Sequence, residues 1–246
     1  MARALTLAAL LSCVSWSLPA SADDDAFRQA RDALIIGSSS VHQAFGRLID
    51  RELRDLGYRV KRHGVTSAGL ARPDYRDMSS IVEGLPVKPR STVVFVYLGM
   101  NDAQSIWLRR HERSSRRPWL GWNNARWSTV YERRARRFFE RLCARGARDV
   151  VALLPVDVKR PRLQRRLARV RRLQAKAAAA TSCARAISTS GDMGRFHLGG
   201  VARRYRDGVH MTRAGARAVW RRIRGEALSI AGAEQPAAAQ ASAMAP

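Results

Sequence analysis

"STVVFVYLGMND", residues 91–102, reads as a buried strand that ends in a polar turn. Val93, Val94, Phe95, Val96 and Tyr97 form an unbroken β-branched and aromatic run with no polar face. Such a run belongs to a strand covered on both sides, the situation of a parallel sheet. Gly99 then ends the strand, and Asn101 and Asp102 place polar side chains beyond its carboxyl end. Working outward, the apolar runs at 33–37 and 149–155 repeat the pattern. "YRVKRHG" (58–64) fits a polar edge strand and "ARAISTS" (184–190) a weak one. Val41, Ala44, Phe45, Leu48, Ile49 and Leu56 share one helical face and predict a helix over 41–56. Further helices are expected over 127–145, along the stripe Leu163, Leu167, Val170 and Leu173, and over 212–230. Strands alternating with helices predict an α/β class, a three-layer α/β/α sandwich with a central parallel sheet of about five strands. In such sheets the chemistry sits beyond the carboxyl ends of the strands.

The chain has 246 residues and one expected core domain, 23–232. Residues 1–22 read as an export signal. Arg3 supplies the positive start, "ALTLAALLSCVSW" the apolar stretch, and "ASA" the small residues before Asp23. That stretch is too short to span a membrane, so no transmembrane segment is expected and the predicted location is periplasmic or secreted. Residues 233–246 are low in complexity and expected to be disordered. Formal charge is +25, and only Lys61, Lys88, Lys159 and Lys176 of the 45 basic residues are lysines. A field this positive favours nonspecific contact with polyanions, and in an exported protein these are anionic envelope polymers rather than a specific nucleic acid. After cleavage Cys143 and Cys183 remain; they could pair, but spacing alone does not bring them together. Neither has metal-ligand spacing with the histidines, so no metal site is expected.

Four polar motifs fall where strands end: "IIGSSS" (35–40), "VTSAGLARPDY" (65–75), "YLGMND" (97–102) and "RDGVHMTRAG" (206–215). A serine at a strand-to-helix junction is by itself commonly a helix cap, and Asp207-Gly208 by itself a turn. Together and in this order the motifs resemble the blocks of the SGNH (GDSL-like) hydrolase family, in particular a bacterial cell-envelope branch. Gly37-Ser38-Ser39 matches the first block, Gly69 the second, Gly99-Met100-Asn101-Asp102 the third and Asp207-Gly208-Val209-His210 the last. Ser38 stands where the family has aspartate, and Ser40 where it has leucine.

The resemblance implies a serine esterase with Ser39 as nucleophile, His210 as base and Asp207 as its orienting partner, and no cofactor. It implies an oxyanion hole from the N–H groups of Ser39 and Gly69 and the amide of Asn101. The chemistry agrees: a serine hydroxyl needs a base within hydrogen-bond reach, and the base a group that holds its tautomer. Ser40 is the expected helix cap, and His42, though nearer in sequence, is not the expected base. The segment at about 105–127 reads as an insertion rich in arginine and tryptophan. Trp107 and Trp122 are its candidate sugar-stacking residues, with arginines to grip carboxylates or phosphates; packing on the domain is the competing role. The expected function is hydrolysis of acyl esters, O-acetyl foremost, on a cell-envelope or extracellular glycan. An O-acetyltransferase and a catalytically inactive envelope-binding protein are the alternatives.

Overall fold

A computed structural model describes residues 31–190 and 208–232. The expected signal segment, Asp207 and the expected low-complexity tail lie outside the described residues. Five parallel strands form the central sheet: β1 (Asp32–Gly37), β2 (Arg59–Gly64), β3 (Thr92–Tyr97), β6 (Asp149–Leu153) and β7 (Ala184–Ile187). Their spatial order is β2-β1-β3-β6-β7. All six residues of β3 are buried, as the unbroken apolar run requires. The edge strand β2 alternates exposed and buried positions and carries its charges outward. Burying each of the large apolar side chains of β1 and β3 contributes about 1.5–3 kcal/mol, which makes this strand pair the centre of the core.

The crossover helices are α2 (Ala44–Asp55), α3 (Met78–Glu83), α4 (Trp127–Ala144), α5 (Pro161–Ala179) and α6 (Arg213–Ile230). Right-handed crossovers divide them between the two faces, with α2 packed on α6 and α4 packed on α3 and α5. The α/β/α class and the five-stranded sheet are those expected. The chain leaves β1, turns outward to β2, and then crosses back to β3, so the strand order reverses between β1 and β3. A crevice opens at such a point beyond the strand ends.

The helix expected over 41–56 is broken. A single turn, α1 (Ser39–His42), is followed by Gln43 in extended backbone, and α2 begins at Ala44. The apolar period runs through the break, so it could not reveal it. The physical cause is a tight return. A Cβ on Gly46 would lie 2.1 Å from the Val41 carbonyl oxygen, an approach only glycine permits. Ser40 is not the cap. It lies inside α1 and is buried, whereas the extended residue before the helix is Ser38, which makes no side-chain capping bond. The last helix does have its cap: the Thr212 hydroxyl accepts the Gly215 N–H at 3.2 Å.

In the inserted segment, β4 (Ile106–Trp107) and β5 (Trp119–Leu120) pair as a small antiparallel hairpin. Cys143 and Cys183, which spacing left open, are bonded and join the end of α4 to the approach to β7. Among the described residues no helix is long and apolar enough to cross a membrane.

Candidate active site

The parallel register aligns Gly37 at the end of β1 with Tyr97 at the end of β3. The Ser38 N–H donates to the Tyr97 carbonyl at 3.2 Å, which ties the serine turn to the neighbouring strand. Ser39 then opens α1, so its N–H belongs to the first turn and has no acceptor within the helix. Its hydroxyl lies 3.1 Å from Nε2 of His210, 171 residues further along the chain. Both side chains are half-buried. The loop that carries His210 is held by the segment between β6 and α5: the Lys159 N–H donates to the Gly208 carbonyl at 3.0 Å. Ser39 and His210 are thus brought together as expected, Asp207 lies outside the described residues, and His42 is exposed.

The second and third motifs meet on the other side of the reversal point. One N–H of the Asn101 amide donates to the Ala68 carbonyl at 2.9 Å, which fixes the plane of the amide and leaves its second N–H for another acceptor. Asp102 is completely buried. Its carboxylate accepts the Ala71 N–H at 2.8 Å and the Tyr131 hydroxyl at 2.8 Å. Burial pushes this carboxyl up to about 6, although the backbone N–H groups of Ala71 and Leu70, the Tyr131 hydroxyl and the charge of Arg134 all pull it down. The same burial and the neighbouring Asp102 raise the Tyr131 phenol well above its ordinary range.

Gly69 has a structural reason that the sequence did not show. A Cβ there would lie 2.2 Å from Asp102 Oδ1, so the glycine lets the loop close over the buried carboxylate. A close approach to substrate is not needed to explain it.

Sequence reasoning missed a second buried centre. Arg134 on α4 pairs with Glu112 in the insertion, and both are buried. The same guanidinium donates to the carbonyls of Leu70 at 2.9 Å and Trp107 at 2.6 Å, so it clamps the Gly69 loop and the insertion together. Burial raises the Glu112 carboxyl, but the Arg134 hydrogen bond and the Arg109 N–H outweigh it and hold the group below its ordinary range. The only trace in the sequence is a glutamate in an arginine-rich segment, a pattern shared with many surface pairs.

Trp107 and Trp122 are half-buried. Trp107 meets Trp119 edge-on at 5.0 Å and lies under the Arg113 guanidinium. Trp122 packs at 4.3 Å on Trp127, a core residue, and lies beside Arg166 and Arg169. Trp119 is the most open of the four, 47% exposed.

The model of a family described as "Protein of unknown function (DUF459)" matches residues 32–226. Comparison with curated protein sequences gives no match. Among solved structures, a variant of Axe2, an acetyl xylan esterase from Geobacillus stearothermophilus, is similar with TM-score 0.55 and 15% identity, over 84% of this chain and 96% of that one. A member of the lipolytic G-D-S-L family from Veillonella parvula gives 0.54 and 15%, over 79% and 96%. A lipase/acylhydrolase from Enterococcus faecalis gives 0.52 and 16%, over 80% and 96%. At these identities the likeness is one of fold, and it bears out the α/β/α sandwich expected from the sequence.

Proposed function

The chain belongs to the DUF459 family, and from that premise we propose that it is an exported serine esterase that removes acyl groups, O-acetyl foremost, from a cell-envelope or extracellular glycan. The observation that carries this reading is the Ser39 hydroxyl at 3.1 Å from His210 Nε2, at the carboxyl end of a parallel sheet where its order reverses. In the proposed reaction Ser39 Oγ attacks the ester carbonyl while His210 Nε2 takes its proton. The negative charge that develops on the carbonyl oxygen is met by the N–H groups of Ser39 and Gly69 and by the Asn101 amide; a donor of this kind contributes about 2.7–4 kcal/mol to the transition state. His210 returns the proton to the leaving sugar oxygen, and the same steps with water release the acid from Ser39. Asp207 is assigned the role of holding the imidazole.

Export is supported by the apolar segment before Asp23 and by the Cys143–Cys183 bond, which persists in oxidising compartments. The glycan is supported by the tryptophans of the insertion, where Trp107 and Trp122 are the proposed stacking residues, and by the likeness to Axe2, an acetyl xylan esterase.

The experiment that tests the reading is a fluorophosphonate label with peptide mapping, run beside hydrolysis of p-nitrophenyl acetate. The expected result is hydrolysis, with the label on the peptide that carries Ser39. A protein that takes no label and hydrolyses no ester overturns the enzyme reading. Acyl transfer to an added sugar at the expense of acetate release would replace the esterase with a transferase.

A further inference from the structure

The cleft between α2 and the first turns of α6 is lined by Ala44, Arg47, Leu48, Arg51, Arg213 and Arg217, around about 340 Å³. Among the described residues four guanidiniums line it and no carboxylate does. All four arginines are exposed, and among the described residues none is paired with an acid. Elsewhere on this basic surface arginines do find acids: Arg59 pairs with Asp32, Arg72 with Asp74 and Arg141 with Glu83. Of the acids of α2, Asp50 is held by Arg54 and Arg62 and Glu52 by Arg224 on α6, while Asp55, one turn beyond Arg51, is not part of the cleft lining.

Bringing these four cations together is unfavourable without a counter-charge. Arg47 and Arg51, and likewise Arg213 and Arg217, are like charges one helical turn apart. Arg47 and Arg213 lie in the first turns of their helices, at the positive ends of the helix dipoles, and neither helix has an acid in its first turn. The Glu52–Arg224 pair and the Tyr58 hydroxyl on the Ala231 carbonyl show that the two helices run side by side in one direction. Both amino ends therefore lie at the end of the sheet that holds Ser39 and His210. The chain tethers the cleft close to them: Arg213 follows His210 by three residues, a reach of at most about 11 Å, and Ala44 follows Ser39 across the single turn of α1.

We propose that this cleft is an anion subsite of the same active site, which holds a carboxylate or phosphate carried by the molecule that bears the acyl ester. The proposal rests on the esterase reading for its meaning but not for its test. Planar guanidiniums bind either oxyanion through paired N–H groups, and among the described residues the rest of the lining is the apolar pair Ala44 and Leu48. The substrate class is thereby narrowed from acylated glycans in general to acidic ones.

The test is direct binding by calorimetry to the full chain, with inorganic phosphate and trigalacturonate as separate probes at moderate salt. The wild type is expected to bind at least one, and the probe that titrates names the anion. R51Q/R217Q should weaken that binding about tenfold or more, while R165Q/R172Q, which removes the same charge from the exposed face of α5, should leave it in place. R213Q is the second cleft variant, and relief of like-charge repulsion predicts a Tm no lower than that of wild type for either. Failure of the wild type to bind either probe overturns the subsite. So does equal weakening by the cleft and α5 variants, which would make the effect one of net charge. If binding follows the cleft while no ester is hydrolysed and no fluorophosphonate label forms, the subsite stands and the esterase reading falls.

Discussion

Ser39 and His210 meet at 3.1 Å as half-buried side chains 171 residues apart, whereas Asp102 and the Arg134–Glu112 pair are buried with several donors or acceptors each. On the first side a turn and a loop present reactive atoms to the crevice. On the second, polar side chains are spent on holding backbone: Asp102 fastens the loop at Ala71 to α4 through Tyr131, and Arg134 fastens the same loop to the insertion. The difference teaches that the residues with the largest electrostatic stake in this fold are not those proposed to do chemistry. A reacting pair must stay accessible and change protonation, while an unsatisfied buried ion would cost several kcal/mol, so each kind of residue is placed where its requirement is met.

The comparison predicts opposite phenotypes for the two sides. S39A should lower hydrolysis of p-nitrophenyl acetate by about 10³-fold or more while urea unfolding moves by no more than about 0.5 kcal/mol. Substantial retained activity would break the assignment of Ser39. R134A should lower unfolding free energy by about 3–5 kcal/mol, because Glu112 is left buried and unpaired. A stability like that of wild type would show that the clamp is dispensable.

Asp102 predicts a pH signature. Its folded carboxyl, at about 6, binds a proton more tightly than the unfolded one at 3.8, so this group favours the fold most below the unfolded value. That contribution is lost as pH rises through about 6 and amounts to about 3 kcal/mol. Urea titrations of wild type and D102N between pH 4 and pH 7 should therefore differ in slope, with the wild type losing stability toward neutral pH relative to the variant. Parallel curves would remove the burial argument. The smallest effect expected is for G69A, about 1–3 kcal/mol from a Cβ forced against Asp102, with activity falling alongside stability because the loop shifts. Lost activity at unchanged stability would instead return Gly69 to a role at the substrate alone.

Much of the fold was legible because periodicity is a local property. The β-branched and aromatic run at Val93–Tyr97 reads as a covered strand, and the motifs at 35–40, 65–75 and 97–102 fall at the ends of β1, β2 and β3. The break between α1 and α2 was not legible, since the apolar period continues through Gln43 and the cause is a packing contact between Gly46 and Val41. The capping expectation for Ser40 failed for a related reason: residue type favours Ser at a helix start, but the backbone of Ser38 is the one that is extended.

The α/β class and the place of the first three motifs after β1, β2 and β3 follow from residue type and order along the chain, whereas Ser39 and His210 were singled out by the resemblance of their blocks to a known family. Only the tertiary structure decided that Cys143 bonds to Cys183, that Glu112 is buried against Arg134, that Gly69 makes room for Asp102, and that four arginines of α2 and α6 face one cleft. Each of these joins groups far apart in the chain, and which partners meet is set by how the sheet and its helices pack rather than by any pattern within one segment.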